Sequence, residues 1–252
     1  MDTAHGIDTP QFDEHTLPDL DETVRTALTF FEGKHLPQIS LEGYRRPLVI
    51  GSGNAEVVGR MLFRGTNAVY ANESTYEAVL ASYPDVNVAL VISASGSKHA
   101  VGLVESLQQR GIATFLLTNT DDSPASKLLT ISHVRTYPKL REPYTYNVST
   151  YMGMLLSGSG ESSVDILRHI TETISPVLPT DFAKYDAFFL LIPPEFAGMR
   201  EMFVTKFDEL FGPLITVRVY TYEQAKHAKT VVPSDTECFI SFGVENHVFG
   251  TP

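Results

Sequence analysis

The sequence predicts an α/β protein built on a parallel sheet, followed by a shortened second α/β half. The first observation is an alternation of short apolar runs with amphipathic helical patterns from Pro47 to Thr118, which is typical of βαβ units. The second is that the alternation begins again at Ala187. The third is a repeated order of elements, in which TYEAVLA at Thr75 and TYEQAKHA at Thr221 each precede a strand ending in Ile-Ser. Together these observations predict an internal duplication.

The elements of the first half follow from local patterns. Leu20, Val24, Leu28 and Phe31 recur at helical spacing, and Asp19 before them is a residue type that begins helices. After this helix, the predicted strands and helices alternate in the order PLVI, AEVVGRMLF, NAVYA, STYEAVLASY, VNVALVIS, KHAVGLVESLQQRG and ATFLLT, and SHVRTY is a fifth strand.

Two further helices, over 144–156 and 163–174, complete the first half. The second half is predicted to contain the strand AFFLLI, an amphipathic helix over 195–211, the strand LITVRVY, the helix TYEQAKHA and the strand ECFISFG. The chain is therefore divided into an N-terminal arm and helix (1–45), an α/β domain (46–180) and a partial second α/β domain (181–252).

Composition excludes several classes of partner. The chain has 252 residues, 43 % of them apolar, and 19 Lys and Arg against 30 Asp and Glu, a net charge of −11. Such a chain lacks the basic face that a nucleic-acid binder needs. No apolar run approaches the roughly 18 residues of a membrane span, so no membrane partner is expected. Cys238, the single cysteine, excludes an internal disulfide and indicates a reducing, cytoplasmic location.

Two strand-to-helix turns are candidates for an anion site. The turn Gly51-Ser52-Gly53-Asn54 follows PLVI, and the turn Ser93-Ala94-Ser95-Gly96-Ser97-Lys98 follows VNVALVI. Both lie at the carboxyl end of a predicted parallel strand, where open α/β sheets bind ligands and helix N-termini attract anions. Serine and glycine also form ordinary caps and turns, but two such turns in adjacent units favour a phosphate site.

A dinucleotide-binding protein is the alternative interpretation of the first turn. Gly51-Ser52-Gly53 begins a G-x-G-x-x-G pattern, and Glu73 lies 20 residues after Gly53, where a ribose-binding acid would stand. The third glycine of that pattern, however, is Glu56, whose charged side chain opposes a pyrophosphate. This alternative also leaves the serines of the second turn without a role.

These two turns and the segments around them resemble the SIS (sugar isomerase) domain family. The resemblance covers about residues 46–158 and rests on GSGNAEVVG, ISASGSKHAVGLVE, IATFLLTN and REPYTYNVSTYMGMLL, which occur in the family's order. It implies a flavodoxin-like fold, a three-layer sandwich with a five-stranded parallel sheet, and a bound phosphosugar. Many family enzymes carry two such domains in tandem, and the duplication is similar to that layout.

The resemblance also implies which residues bind the sugar phosphate. They are Ser52, Gly53, Asn54, Ser93, Ser95, Gly96, Ser97, Lys98 and Glu142. Lys98 stands where the family has a threonine, and a lysine can bind phosphate as a point charge. Glu142 corresponds to the glutamate before the later helix, which often contacts the sugar. No cofactor is implied, and the scattered histidines predict no metal site.

Catalysis by aldose–ketose isomerisation would need a base that moves a proton between C1 and C2, and a glutamate suits this step. Tyr222-Glu223-Gln224-Ala225-Lys226 resembles the family's N-E-N-x-K helix, so the resemblance implies Glu223 as the base. His227, four residues later, would project from the same helix face and assist. The family's later P-E-x-x-H histidine is absent from 233–237, where Glu237 is a second carboxylate candidate. The resemblance therefore predicts an aldose–ketose phosphosugar isomerase, and the missing histidine favours the rival hypothesis, a non-catalytic phosphosugar-sensing module.

The second half is also expected to require a partner. The shortened second half would leave a sheet edge and apolar residues such as Phe239 and Val248 in need of cover. We therefore expect a homodimer or a larger homo-oligomer.

Overall fold

Five parallel strands form the first sheet of the computed structural model, which describes residues 17–41, 43–143, 145–228 and 232–243. The strands are β1 (Pro47–Ile50), β2 (Val69–Ala71), β3 (Val88–Ile92), β4 (Ala113–Thr118) and β5 (Val134–Thr136). Their order is β2-β1-β3-β4-β5, with every neighbouring pair parallel. All five strands, including the short SHVRTY strand, were predicted from the sequence.

Helices cover both faces of this sheet. They are α1 (Leu20–Phe30), α2 (Asn54–Leu62), α3 (Tyr76–Ser82), α4 (His99–Gln109), α5 (Val148–Ser159) and α6 (Ser163–His169). Alternate residues of a strand point to opposite faces, so in β1 Leu48 packs in one core with Leu107 of α4, and Val49 packs in the other with Val58 of α2. The predicted three-layer sandwich is thus confirmed.

Two helices differ in extent from their sequence patterns. The pattern over 163–174 is helical throughout, but α6 ends at His169 and the chain continues as a π-helical turn, Ile170–Ile174. The helix predicted over 144–156 begins only at Val148 in the structure and ends at Ser159. Its start is set by Asn147, which adopts the left-handed conformation with φ 50°. Tyr144 lies outside the described residues.

A second sheet of three parallel strands follows in the chain. It contains β6 (Ala187–Ile192), β7 (Thr216–Thr221) and β8 (Glu237–Ser241), accompanied by α7 (Arg200–Phe211) and α8 (Tyr222–His227). The order β7-β6-β8 repeats the order β2-β1-β3 of the first sheet. A second, smaller parallel α/β half is therefore present. Its predicted single helix over 195–211 is divided into a 3₁₀ segment, Pro194–Met199, which contains the poor helix former Gly198, and α7.

The two halves are in direct contact. Met202 of α7 packs against the α2 side of the first core, and the guanidinium of Arg64 lies 5.0 Å from the centre of the Phe196 ring. The ammonium of Lys206 donates to the carbonyl of Thr145 at 2.5 Å. The boundaries 1–45, 46–180 and 181–252 stay a prediction.

Strand β8 is an edge of the second sheet, and Phe239 on it is 63 % exposed. The exposed ring stacks on Phe189, with centroids 4.8 Å apart. Val248 lies outside the described residues, and the homodimer stays a prediction. None of the helices in the described ranges is long and apolar enough to cross a membrane.

Candidate functional site

The two predicted turns lie side by side at the carboxyl edge of the first sheet. Strands β1 and β3 are hydrogen-bonded neighbours, with Ile50 paired to Val91. Helix α2 leaves β1 toward one face and α4 leaves β3 toward the other, so the crevice between their N-termini is the topological switch point where such sheets bind ligands. The order β2-β1-β3-β4-β5 is the flavodoxin type and differs from the 3-2-1-4-5-6 order of dinucleotide-binding folds, which argues against the alternative interpretation.

The serine loop, residues 93–98, presents two hydroxyls to solvent. The Oγ atoms of Ser95 and Ser97 are 2.7 Å apart, and one donates to the other. Behind them the carbonyl of Ala94 accepts from the Asn119 amide at 2.9 Å and from the Thr118 hydroxyl at 3.1 Å. The loop backbone is thereby anchored on β4, while its outer hydroxyls remain available to a ligand.

Gly96 is required by packing inside the loop. It is buried with φ +57°, and an added Cβ would lie 2.6 Å from the Cβ of Ser123. Its carbonyl accepts from the Ala125 amide at 2.9 Å. The resemblance implied Gly96 as a phosphosugar-binding residue; the structure adds that Ser123, in the segment 123–126, fills the space where a side chain at residue 96 would stand.

Lys98 has a backbone conformation that is unusual for a side-chain-bearing residue. Its φ and ψ are 50° and −115°, nearly those of Gly53 (55° and −124°), and each residue immediately precedes the first residue of its helix. Holding a non-glycine residue in such a region costs about 1–3 kcal/mol. The side chain is exposed, and α4 has neither a side-chain cap nor an acidic residue in its first turn. The helix end therefore keeps its partial positive charge for an anion.

The first turn is engaged differently from the serine loop. The hydroxyl of Ser52 donates to the carboxylate of Glu73, at the end of β2. This hydrogen bond is the main cause that lowers the pKa of Glu73, and the nearby His99 lowers it further. The side-chain oxygen of Asn54 is buried with no hydrogen-bond partner among the described residues. Sequence reasoning singled out Glu73 only as a ribose-binding acid, and it missed the bond to Ser52.

Glu142 lies before α5, as the resemblance implied, and both of its oxygens are used. One accepts from the Val148 and Ser149 amides at 3.0 Å each, and the other accepts from the Thr150 amide and hydroxyl at 2.9 Å and from the Ser149 hydroxyl at 3.0 Å. The carboxylate thus caps the N-terminus of α5 in place of Asn147, which makes no side-chain cap. A contact with a sugar stays a prediction.

Glu223 and His227 lie on α8, at the carboxyl end of β7 in the second sheet. Both are exposed, and the carboxylate of Glu223, 72 % exposed, pairs with the ammonium of Lys226 at 2.8 Å. The hydrogen bond from Lys226 lowers the pKa of Glu223. In the part of the chain that the structure describes, neither side chain forms a hydrogen bond with the serine loop. Glu237, the second candidate, is nearly buried and pairs with Arg218.

A cavity of about 400 Å³ adjoins the serine loop on the α3 side. Its lining residues are Glu73, Tyr76, Lys98, His99, Gly102 and Leu103. Across the described ranges, no group of three or more His, Cys, Asp or Glu side chains is placed to hold a metal ion.

No family model matches the sequence, and no curated protein matches it. Among solved structures, glucosamine-6-phosphate deaminase from Thermotoga maritima is similar with a TM-score of 0.60 and 16 % identity, over 88 % of this chain and 74 % of that one. Tagatose-6-phosphate ketose/aldose isomerase from Escherichia coli is similar with a TM-score of 0.59 and 14 % identity, over 91 % of this chain and 68 % of that one. The C-terminal domain of glucosamine-fructose-6-phosphate aminotransferase from Francisella tularensis is similar with a TM-score of 0.51 and 11 % identity, over 92 % of this chain and 77 % of that one.

At these identities the likeness concerns the fold. The structural likeness to these proteins covers most of this chain, whereas the sequence resemblance covered only about residues 46–158. The protein therefore has a flavodoxin-like parallel α/β fold, as the resemblance implied, extended by a second parallel α/β unit.

Proposed function

We propose that this protein binds a sugar phosphate, with the phosphate on the serine loop. The observation that carries the proposal is the Ser95–Ser97 hydroxyl pair at the uncapped N-terminus of α4. Hydroxyls can turn their protons toward a phosphate oxygen, and the helix end adds its partial positive charge. The loop is anchored through Ala94 on β4, so these groups are positioned before a ligand arrives.

Lys98 supplies the only full positive charge among the candidate phosphosugar-binding residues. The chain as a whole is acidic, with a net charge of −11, so an anion site depends on local charge. A lysine next to the hydroxyl pair attracts a phosphate dianion without the fixed geometry that an arginine would demand. A small sugar phosphate, and not a nucleic acid, is the partner that this arrangement supports.

Replacing Ser95 or Ser97 with alanine is expected to weaken sugar-phosphate binding by about 1–2 kcal/mol each, the scale of a hydrogen bond to a charged group. Isothermal titration calorimetry with hexose and pentose phosphates measures the change. Ser132→Ala is the matched control, because its hydroxyl pairs with Thr130 at 3.1 Å on an exposed 3₁₀ turn outside the serine loop. Unchanged affinity in both loop variants would refute the phosphate assignment.

Aldose–ketose isomerisation is the second candidate function, favoured by the occurrence of Glu223 and His227 on one helix beside an SIS fold. The exposure of Glu223 and its ion pair with Lys226 weaken it as a base, because a low pKa in water gives little drive to abstract a carbon-bound proton. The non-catalytic, sensing role is for this reason the better supported of the two.

An interconversion assay on every sugar phosphate that binds distinguishes these roles. If the protein is an isomerase, Glu223→Gln is expected to lower turnover roughly a hundredfold, the scale of a positioned base, and to leave binding nearly unchanged. Glu201→Gln, on the first turn of α7, is the control for loss of a carboxylate on a neighbouring helix. Binding without any turnover in the wild-type protein would leave the sensing role.

A further inference from the structure

The cavity beside the serine loop contains a carboxylate for which the phosphate site has no use. We propose that Glu73 in this cavity binds hydroxyl groups of the ligand and thereby makes the site select polyhydroxylated phosphates over phosphate alone. This inference rests on the proposed function. It assigns the cavity to the sugar part of the ligand and the serine loop to the phosphate part.

The charge state of Glu73 supports this assignment. Its carboxylate accepts from Ser52, and no Lys or Arg forms an ion pair with it among the described residues. Its pKa is lowered, so the group is ionised at neutral pH. An ionised carboxylate only accepts hydrogen bonds, and it has about four acceptor positions, of which the Ser52 hydroxyl and the backbone amide of Glu73 itself use two. The remaining positions suit sugar hydroxyls, whereas a phosphate placed against them would be repelled.

The spacing of the strands gives the site its length. Glu73 follows β2, the serine loop follows β3, and β1 lies between these strands. With neighbouring strands about 4.8 Å apart, the two groups stand roughly 10 Å from each other across the sheet edge. A hexose phosphate is long enough to place its phosphate on Ser95 and Ser97 and its distant hydroxyls near Glu73, whereas inorganic phosphate reaches one end only.

The strained backbone of Lys98 indicates that the boundary between these two parts is functional. The corresponding position in the first turn is Gly53, which adopts the same conformation without a Cβ. Lys98 bears a side chain there at a conformational cost and lines the same cavity as Glu73. Lys98 belongs to the serine loop and also lines the cavity, so its positive charge can attract the phosphate end while Glu73 receives the hydroxyl end.

The test compares inorganic phosphate with sorbitol 6-phosphate, a polyol phosphate that an isomerase cannot convert, by calorimetry on the full chain. We expect the wild-type protein to bind the polyol phosphate at least tenfold more tightly. Glu73→Gln is expected to reduce that preference about tenfold and to leave the affinity for inorganic phosphate equal or higher, because a negative charge has been removed. Glu73→Asp, which keeps the charge on a shorter side chain, is expected to retain part of the preference.

Glu77→Gln is the matched control, because Glu77 is an exposed carboxylate on the neighbouring α3 and pairs with Arg110. It is expected to leave both affinities unchanged. If Glu73→Gln weakens both ligands equally, Glu73 acts on the loop structure and the inference is overturned. If the wild-type protein binds neither ligand, the proposed function itself fails. Should Glu73→Gln prove unstable, Glu73→Asp takes its place, and a preference for the polyol phosphate equal to that of the wild-type protein then overturns the inference.

Discussion

Gly51→Ala is expected to lower the free energy of unfolding by about 3 kcal/mol or more, the upper range for forced overpacking. Gly51 lies between β1 and α2, and a Cβ there would be 2.6 Å from the carbonyl carbon of Ala55 and 2.7 Å from the Glu56 amide nitrogen. Both are backbone atoms, so no change of side-chain rotamer can relieve the clash. Helix α2 would have to move away from the sheet, and its buried Val58 would lose contacts in the core. Urea denaturation measures the loss.

Gly102→Ala is the matched control for that substitution. Gly102 lies inside α4, and nothing stands within 4 Å of an added Cβ. Alanine forms helices better than glycine by up to about 1 kcal/mol, so this variant is expected to be as stable as the wild-type protein or more so. Equal destabilisation by the two substitutions would contradict the close approach of α2 to β1.

Glu142→Ala is expected to lower the free energy of unfolding by about 3 kcal/mol. The variant leaves three backbone amides and two hydroxyls at the start of α5 without their acceptor, and Ser149 and Thr150 are buried. A single helix cap contributes about 1 kcal/mol, and hydrogen bonds to a charged group contribute more. Water can reach part of this half-buried site, which limits the loss.

Glu142→Gln keeps one oxygen acceptor and is expected to lose about half as much stability, again by urea denaturation. Glu161→Ala, an exposed carboxylate shortly after α5, is the control and should have little effect. A Glu142→Ala variant as stable as the wild-type protein would show that the carboxylate does not hold the helix start. Its affinity for a sugar phosphate, measured on the folded variant, tests the contact with the sugar that the resemblance implied.

The features that could be predicted from the sequence are those that depend on residues close together in the chain. Short strand patterns and helical spacings are properties of short segments, so the strands of both sheets and the positions of the two turns followed from local patterns. The repeated T-Y-E helices predicted the duplication, and the order β7-β6-β8 matches β2-β1-β3 accordingly. The fully helical pattern over 163–174 failed at His169, since local spacing does not specify where a helix changes to a π-turn.

The site required the tertiary structure because its contacts join residues that are distant in the chain. Ser52 meets Glu73 only because β2 and β1 are neighbours, and Gly96 meets Ser123 only because β4 lies beside β3. Lateral strand order leaves no periodic signal in the sequence. The exposure of Glu223 is likewise a property of how α8 packs on the second sheet, since Ala225 faces the core and the charged residues face away. The sequence by itself thus determined the α/β class and the serine loop, while side-chain partners across strands were decided by packing.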